Sequence, residues 1–123
     1  MSSRPILTPF PVILDGDMSS DIDSNVTIAT NLSIISYDIF WAGTAPVGTL
    51  SVQVSNTYTI NAEGSVNVTG SWRDYPGASA AVSGNTGTGY FNVSQLGSYA
   101  VRLHYAAGSG VGVLQAVVNA KVQ

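Results

Sequence analysis

The 123-residue chain has no cysteine, and only 9% of its residues are charged. Without thiols there is no disulfide framework, no thiolate metal site and no thiol nucleophile. The charged fraction lies far below the roughly 25% of an ordinary soluble domain. The four basic residues are scattered, and the net charge is -3. Because a surface that tracks phosphates needs clustered lysine and arginine, the sequence argues against nucleic-acid binding.

Long apolar runs are absent as well. No stretch approaches the roughly 20 residues that cross a bilayer, and no apolar segment of signal-peptide length precedes Asp15. We therefore expect no membrane association, and assembly in a cytoplasm followed by use elsewhere. Hydrophobic residues make up 45% of the chain, which is enough for the core of one domain. The sparse charge gives weak repulsion between copies and favours self-association.

The chain does contain one pattern of alternating apolar residues that occurs twice, at an offset of 64 residues. Ile35 therefore corresponds to Tyr99, and Leu50 corresponds to Leu114. Each copy is interrupted by a breaker run, Gly43–Pro46 in the first copy and Gly108–Gly110 in the second. We predict that each copy is a hairpin of two strands around a loop, with one face of each strand in the core. The predicted inward residues are Ile35, Tyr37, Ile39, Trp41, Leu50, Val52 and Val54, and then Tyr99, Val101, Leu103, Tyr105, Leu114, Ala116 and Val118.

The rest of the chain shows short strands and no helical period. Turn-forming Gly, Pro and Asn residues recur at intervals of roughly 8 to 12 residues, as in an all-β sandwich or barrel. We predict an antiparallel, jelly-roll-like β-sandwich over residues 24–123. One short strand is expected at Ser71–Tyr75, stopped by Pro76 and Gly77, and another at Tyr90–Val93.

Residues 1–23 are predicted to form an extended N-terminal arm followed by an acidic loop. Proline fixes φ and keeps its predecessor out of the helical region, so this segment is extended. Two interpretations stay open, because prolines restrict a segment to sheet edges without choosing whose sheet. The segment is either an edge strand on this domain or an arm that docks on a neighbouring subunit. In the second case the partner-binding residues are Pro5, Ile6, Leu7, Pro9, Phe10 and Pro11.

The acidic loop holds four of the seven acidic residues, Asp15, Asp17, Asp21 and Asp23. Four carboxylates so close in sequence are candidate hard oxygen ligands for calcium, although the spacing is not that of an EF-hand. Asp and Ser also form ordinary turns through side-chain bonds to the nearby backbone. A solvated turn is the favoured interpretation.

No catalytic constellation accompanies the predicted strands. The single histidine, His104, and its neighbour Arg102 alternate with inward residues and should point outward. No Gly-x-Ser-x-Gly elbow is present, and nothing in the sequence brings two carboxylates together as glycosidases require. We therefore predict a protein without enzymatic activity and without a cofactor.

Two aromatic residues, Trp72 and Tyr75, flank Arg73 and Asp74. This composition suits a platform on which sugar rings stack. The competing interpretation is that Trp72 anchors the core, since large aromatic residues bury about 150–250 Å² each and sandwiches need them.

Several segments resemble a small β-sandwich module of bacteriophage structural proteins. The similarity lies in strand and turn motifs and covers about residues 24–122. The motifs are Trp41–Asn56, Ser71–Asp74, Asn92–Leu96, Val101–Tyr105 and Gly110–Leu114.

The resemblance implies a non-enzymatic virion protein, most simply a capsid decoration (cement) protein. Its expected partners are the major capsid protein or other virion proteins, and its own copies in a homo-oligomer, with a trimer favoured. It would be assembled in the host cytoplasm and located in the virion. The arm over residues 1–23 exceeds the family's shorter lead-in. The alternative is a receptor- or glycan-binding module of a tail or fibre.

Overall fold

A computed structural model describes residues 10–28, 34–63, 65–94 and 100–121. All the regular structure in these ranges is β-strand, and none of these residues lies in a helix long and apolar enough to span a membrane. The strands are β1 (Phe10–Asp17), β2 (Ile22–Asp23), β3 (Thr27–Ile28), β4 (Ile34–Ser55), β5 (Thr59–Ile60), β6 (Val66–Val68), β7 (Arg73–Val82), β8 (Thr86–Ser94) and β9 (Ala100–Lys121).

Two strands of 22 residues each, β4 and β9, pair with each other along their length and form the centre of the main sheet. Every pairing is antiparallel, which confirms the predicted all-β, antiparallel class. Residues 34–42 of β4 pair with β8, and residues 113–118 of β9 pair with β1. We call these four segments the β8 half. The β7 half consists of β7, residues 48–54 of β4, residues 100–105 of β9, and β2 and β3.

The sequence repeat is a symmetry of this central pair. Tyr37 of β4 lies opposite Val118 of β9, and Val54 of β4 lies opposite Val101 of β9. In the repeat, Tyr37 corresponds to Val101 and Val54 corresponds to Val118, so the repeat carries one cross-strand pair onto the other. The two copies are therefore antiparallel partners, related by a local twofold axis between their centres.

The prediction that each copy forms a hairpin is wrong. Each copy is a single long strand, and the breaker runs lie opposite each other where the β4–β9 register shifts near Val47. Here the two backbones approach so closely that a Cβ on Gly43 would overlap the Cα of Gly112. The glycines therefore allow the two strands to pass each other, where the sequence pattern had predicted turns.

The strand break predicted at Pro76 and Gly77 is also wrong. β7 continues through both residues, and the extra residues form a bulge between the pairs Ser51–Ser79 and Gln53–Asp74. Gly77 has a φ of 82° in this bulge. Because β7 lies at an edge of the sheet, the proline costs no hydrogen bond to a further strand.

One hydrophobic cluster combines side chains from both halves of the sheet. A Cβ built on Gly89 would lie 3.6 Å from a methyl of Ile39 in the β8 half and 3.6 Å from a methyl of Leu50 in the β7 half. The inward face predicted from alternation is confirmed at each such position with a described side chain. The buried residues of the two copies are Ile35, Tyr37, Ile39, Trp41, Leu50, Val52, Val54, Val101, Leu103, Tyr105, Leu114, Ala116 and Val118.

The N-terminal segment belongs to this sheet from residue 10 onward. β1 pairs with β9, and its residues Val12 and Ile13 are each 5% exposed within the core. Residues 10–17, including the predicted contacts Phe10 and Pro11, thus form an edge strand on this chain's own sheet. Of the two interpretations left open for this segment, the structure favours the edge strand on this domain for residues 10–17. The partner contacts expected of Pro5, Ile6, Leu7 and Pro9 fall outside the described residues.

Candidate functional site

The two copies of the repeat share their inward face but differ on their outward face. Phe40 of β4 corresponds to His104 of β9, and Asp38 corresponds to Arg102, at the same offset that relates the buried residues. Where one copy presents an exposed aromatic ring, the other presents an imidazole. The core is thus common to both copies, and the difference between them lies on the outer surfaces.

The outer surface of the β8 half carries a group of exposed apolar side chains. Phe40 is 47% exposed and Tyr90 is 61% exposed, although both are aromatic residues in strands. Tyr90 lies opposite Asp38, two residues from Phe40 on the same side of the sheet, so the two rings are diagonal neighbours. Val113, opposite Ala42, and Val111, opposite Thr44, extend the surface along β9. We call Phe40, Tyr90, Val111 and Val113 the apolar face.

The outer surface of the β7 half carries a polar network that crosses four strands. Gln53 donates to Asp74 (3.1 Å) and accepts from Nε of Arg102 (2.9 Å). Arg102 also forms an ion pair with Asp23 (3.6 Å). The other oxygen of that carboxylate lies 2.5 Å from Nδ1 of His104. These side chains satisfy one another across the sheet.

His104 points outward as expected, yet it is not an isolated surface residue. β2 and β4 flank it, with Asp23 opposite on one side and Ser51 opposite on the other. A hydrolytic triad needs a histidine bonded to both a carboxylate and a serine hydroxyl. Among the described residues, Asp23 bonds to the imidazole and no hydrogen bond joins Ser51 to it. Asp23 therefore fixes the orientation of the imidazole.

The four aspartates proposed as calcium ligands have separate partners. Asp15 accepts from Nε2 of Gln115 (2.6 Å), and Asp21 accepts from the backbone N–H of Ala107 (2.8 Å). Asp23 binds Arg102 and His104, as described above. Across the described ranges no three acidic or histidine side chains converge as metal ligands.

Asp17 closes a local turn. Its carboxylate accepts from the hydroxyl (2.7 Å) and the backbone N–H (3.0 Å) of Ser19. These two bonds lower the pKa of the Asp17 carboxyl below its ordinary value, the side-chain bond having the larger effect. This geometry is that of a solvated Asp turn.

Trp72 lies outside the core and is half-buried against the polar network. Arg102 places its guanidinium carbon 4.3 Å from the ring centroid, and Tyr58 packs against the ring at 5.7 Å with a 60° tilt. The indole N–H donates to the carbonyl of Thr69 (2.9 Å). Trp72 therefore ties the segment between β4 and β7 to the sheet. Tyr75, the second predicted glycan contact, is half-buried and packs against the core.

The segment tied down by Trp72 is a separate hairpin formed by β5 and β6. Outside the hairpin itself, no Cα of a described strand lies within 8 Å of a Cα in β5 or β6. Its apolar side chains are nevertheless exposed, with Ile60 at 36%, Val66 at 50% and Val68 at 47%. Isolated two-stranded hairpins are marginally stable, which makes these exposed side chains notable. We call residues 59–68 the projecting hairpin.

The tip of the projecting hairpin is held by one side chain. Oδ1 of Asn61 accepts from the backbone N–H groups of Glu63 and Ser65 (3.2 Å each) and from the Ser65 hydroxyl (2.9 Å). Sequence reasoning identified the turn but missed the projection.

A polar cleft of about 310 Å³ opens at the base of the projecting hairpin. Ser55 lies in its wall and accepts from the N–H groups of Thr57 and Tyr58 (3.2 Å each). Thr57 in turn accepts from the N–H of Ser71 (2.6 Å). One charged residue, Arg73, lines the cleft. The lining residues are Val54, Ser55, Asn56, Thr57, Ser71 and Arg73.

Comparison with known proteins gives a likeness of fold. No protein-family model matches the chain, and no curated protein matches it by sequence. The fold is similar to that of the crystal structure of SPBc2 prophage-derived protein YomS. The superposition has a TM-score of 0.51 and 12% sequence identity, and covers 97% of this chain and 96% of that one. The similarity therefore extends over nearly the whole of both chains.

Proposed function

We propose that this protein is a non-enzymatic structural protein of a bacteriophage virion, acting as a capsid decoration protein. It binds the major capsid protein through the apolar face and binds its own copies through a second surface. The apolar face carries the proposal, because Phe40 and Tyr90 are large, exposed and adjacent. Exposed apolar surface of this kind is commonly an interaction site. The resemblance to phage β-sandwich modules and the fold shared with a prophage-derived protein support the phage assignment.

The proposed function includes a two-layer architecture. The β8 half and the β7 half enclose the core as the two layers of a jelly-roll-like sandwich. The shared hydrophobic cluster supports this arrangement, since both halves contribute inward side chains to it. Each layer then has one outer surface, and the apolar face is the outer surface of one layer. The protein would lie flat on the shell, with the apolar face of that layer in contact with it.

The mode of binding follows from the composition of the apolar face. Phe40 and Tyr90 would provide most of the buried area, since aromatic residues dominate interface energies. Asp38 is an exposed acid opposite Tyr90 and two residues from Phe40, so the shell surface that fits is apolar with a basic residue nearby. Many copies on a symmetric shell would make individually weak contacts strong in sum.

The test compares two exposed threonines on opposite outer surfaces. Thr88 is exposed and lies opposite Phe40, whereas Thr49 is exposed in the β7 half. Thr88→Lys should abolish binding to particles made without this protein, because it places a charge within the apolar face. Thr49→Lys should bind like the wild type. Equal binding by both variants, in co-sedimentation with such particles, would refute the role of the apolar face.

A second candidate function is a receptor- or glycan-binding module of a tail or fibre. The observation in its favour is that Trp72 lies near the surface instead of in the core, close in sequence to the cleft residues Ser71 and Arg73. Against it, Arg102 covers one part of the ring that a sugar would need. Glycan titration followed by NMR distinguishes the two. Shifts confined to Trp72 and the cleft would favour this second function over shell binding.

A further inference from the structure

The projecting hairpin and the polar cleft carry opposite charges that form no ion pair among the described residues. Glu63 is the single charged residue of the hairpin, and Arg73 is the single charged residue that lines the cleft. The ion pairs within the described part of the chain are those of Asp23 with Arg102 and with His104. Neither Glu63 nor Arg73 takes part in them.

The two surfaces also match in their hydrogen-bonding character. The tip of the hairpin presents the polar residues Asn61, Glu63 and Ser65, in a turn already held by Asn61. The cleft is lined mainly by polar side chains with Arg73 at one side. Because Asn61 already accepts from the backbone N–H groups of Glu63 and Ser65, these two residues lose less conformational entropy on binding.

We propose that the projecting hairpin of one copy inserts its tip into the cleft of a second copy, where Glu63 pairs with Arg73. This deepens the proposed function, on which it rests for the premise that copies bind each other. The hairpin and the cleft are different surfaces, so the contact is heterologous. Repeated around an axis, such a contact closes into a ring such as a trimer. The exposed valines of the hairpin are then covered by the neighbouring copy.

Charge complementarity is what selects a second copy as the occupant. The chain has only seven acidic and four basic residues, and the polar network on the sheet uses Asp23, Asp74 and Arg102. An acid on the one projection and a base in the cleft at its foot form a matched pair. A protruding segment of an unrelated protein would need to supply that acid itself.

The experiment is a charge exchange read by native mass spectrometry and sedimentation velocity. Glu63→Arg and Arg73→Glu should each weaken self-association about tenfold or more, because each places like charges together. The double variant E63R/R73E should recover association to within about threefold of the wild type. Ser83→Arg and Ser83→Glu are the controls, since Ser83 is exposed just beyond the opposite end of β7 from Arg73.

Three results would overturn the inference: a monomeric wild type, single variants that associate normally, or a double variant that stays dissociated while its circular dichroism remains native. Particle binding is measured on the same proteins. Self-association that follows the charge exchange, without any binding to particles, would remove the proposed function and leave this contact standing. Binding to particles, together with self-association that does not depend on these two charges, would remove this contact and leave the proposed function standing.

Discussion

Arg102 places its guanidinium carbon 4.3 Å from the centroid of the Trp72 ring, and the same side chain bonds to Gln53 and Asp23. One residue of β9 therefore connects the polar network to Trp72, which lies between the projecting hairpin and β7. Among the described strands the hairpin has no neighbour, so its position relative to the sheet depends on this stack and on the hydrogen bonds of Tyr58 and Ser71 at its base. Trp72 anchors the hairpin at its base, whereas the exposed tip with Glu63 is the part that we propose binds a second copy.

Replacing Trp72 by alanine should loosen the projecting hairpin. The lost ring contacts with Arg102 and Tyr58 should cost about 2 kcal/mol of unfolding free energy, by typical values for cation–π and aromatic pairs. Urea unfolding measures that loss, and limited proteolysis should show new cleavage within residues 59–68. Trp72→Phe is the control, because it keeps a ring while losing the bond to Thr69. Unchanged proteolysis of Trp72→Ala would show that the hairpin does not depend on the stack.

Two glycines with nearly the same φ should respond very differently to alanine. Gly110 and Gly77 have φ values of 79° and 82°. A Cβ on Gly77 meets nothing within 4 Å, so Gly77→Ala should cost only the left-handed strain of about 1–2 kcal/mol. A Cβ on Gly110 would overlap the carbonyl oxygen of Ala45, so Gly110→Ala should cost about 1–3 kcal/mol more. Thermal unfolding compares them, and equal losses would mean that β4 and β9 do not approach closely at their centre.

The pKa of Asp17 should depend on Ser19. Removal of the hydroxyl in Ser19→Ala leaves only the backbone bond, so the pKa of Asp17 should rise toward its ordinary value of 3.8. Because the folded pKa is lowered, the bond stabilises the fold above the ordinary value and is lost as pH falls through the folded pKa. Carboxyl chemical shifts measured against pH report the change. Ser20→Ala is the control, since the Ser20 hydroxyl bonds to the Asp17 carbonyl instead, and an equal rise there would contradict the assignment.

The inward face of each long strand could be predicted from the sequence because side-chain alternation is a local property. Ile35, Tyr37 and Ile39 are buried wherever the strand pairs, since successive side chains point to opposite sides. The repeat was also visible in the sequence, and the β4–β9 register is symmetric about it. Alternation alone establishes which face is buried, and it does so for both copies.

The continuity of each long strand was decided only by the tertiary structure. Gly43 and Pro46 end a strand in most contexts, yet here Gly43 lies opposite Gly112 and the two strands continue past each other. Whether a glycine or proline ends a strand depends on the residue opposite it in the sheet, and that residue is distant in sequence. The same holds for Asp23, which the sequence placed in a metal-like cluster and the fold placed beside the distant His104.

The exposure of the outer surfaces was likewise a tertiary outcome. Alternation assigned Phe40 and His104 equally to the outside, but only the strand order gave Phe40 an aromatic neighbour in Tyr90 and gave His104 a carboxylate. The sequence by itself determined the buried faces of the long strands and the repeat, because these follow from local chemistry. The tertiary structure decided which outward-facing residues become neighbours, because cross-strand neighbours come from segments distant in sequence. The candidate functional surfaces are made of such neighbours.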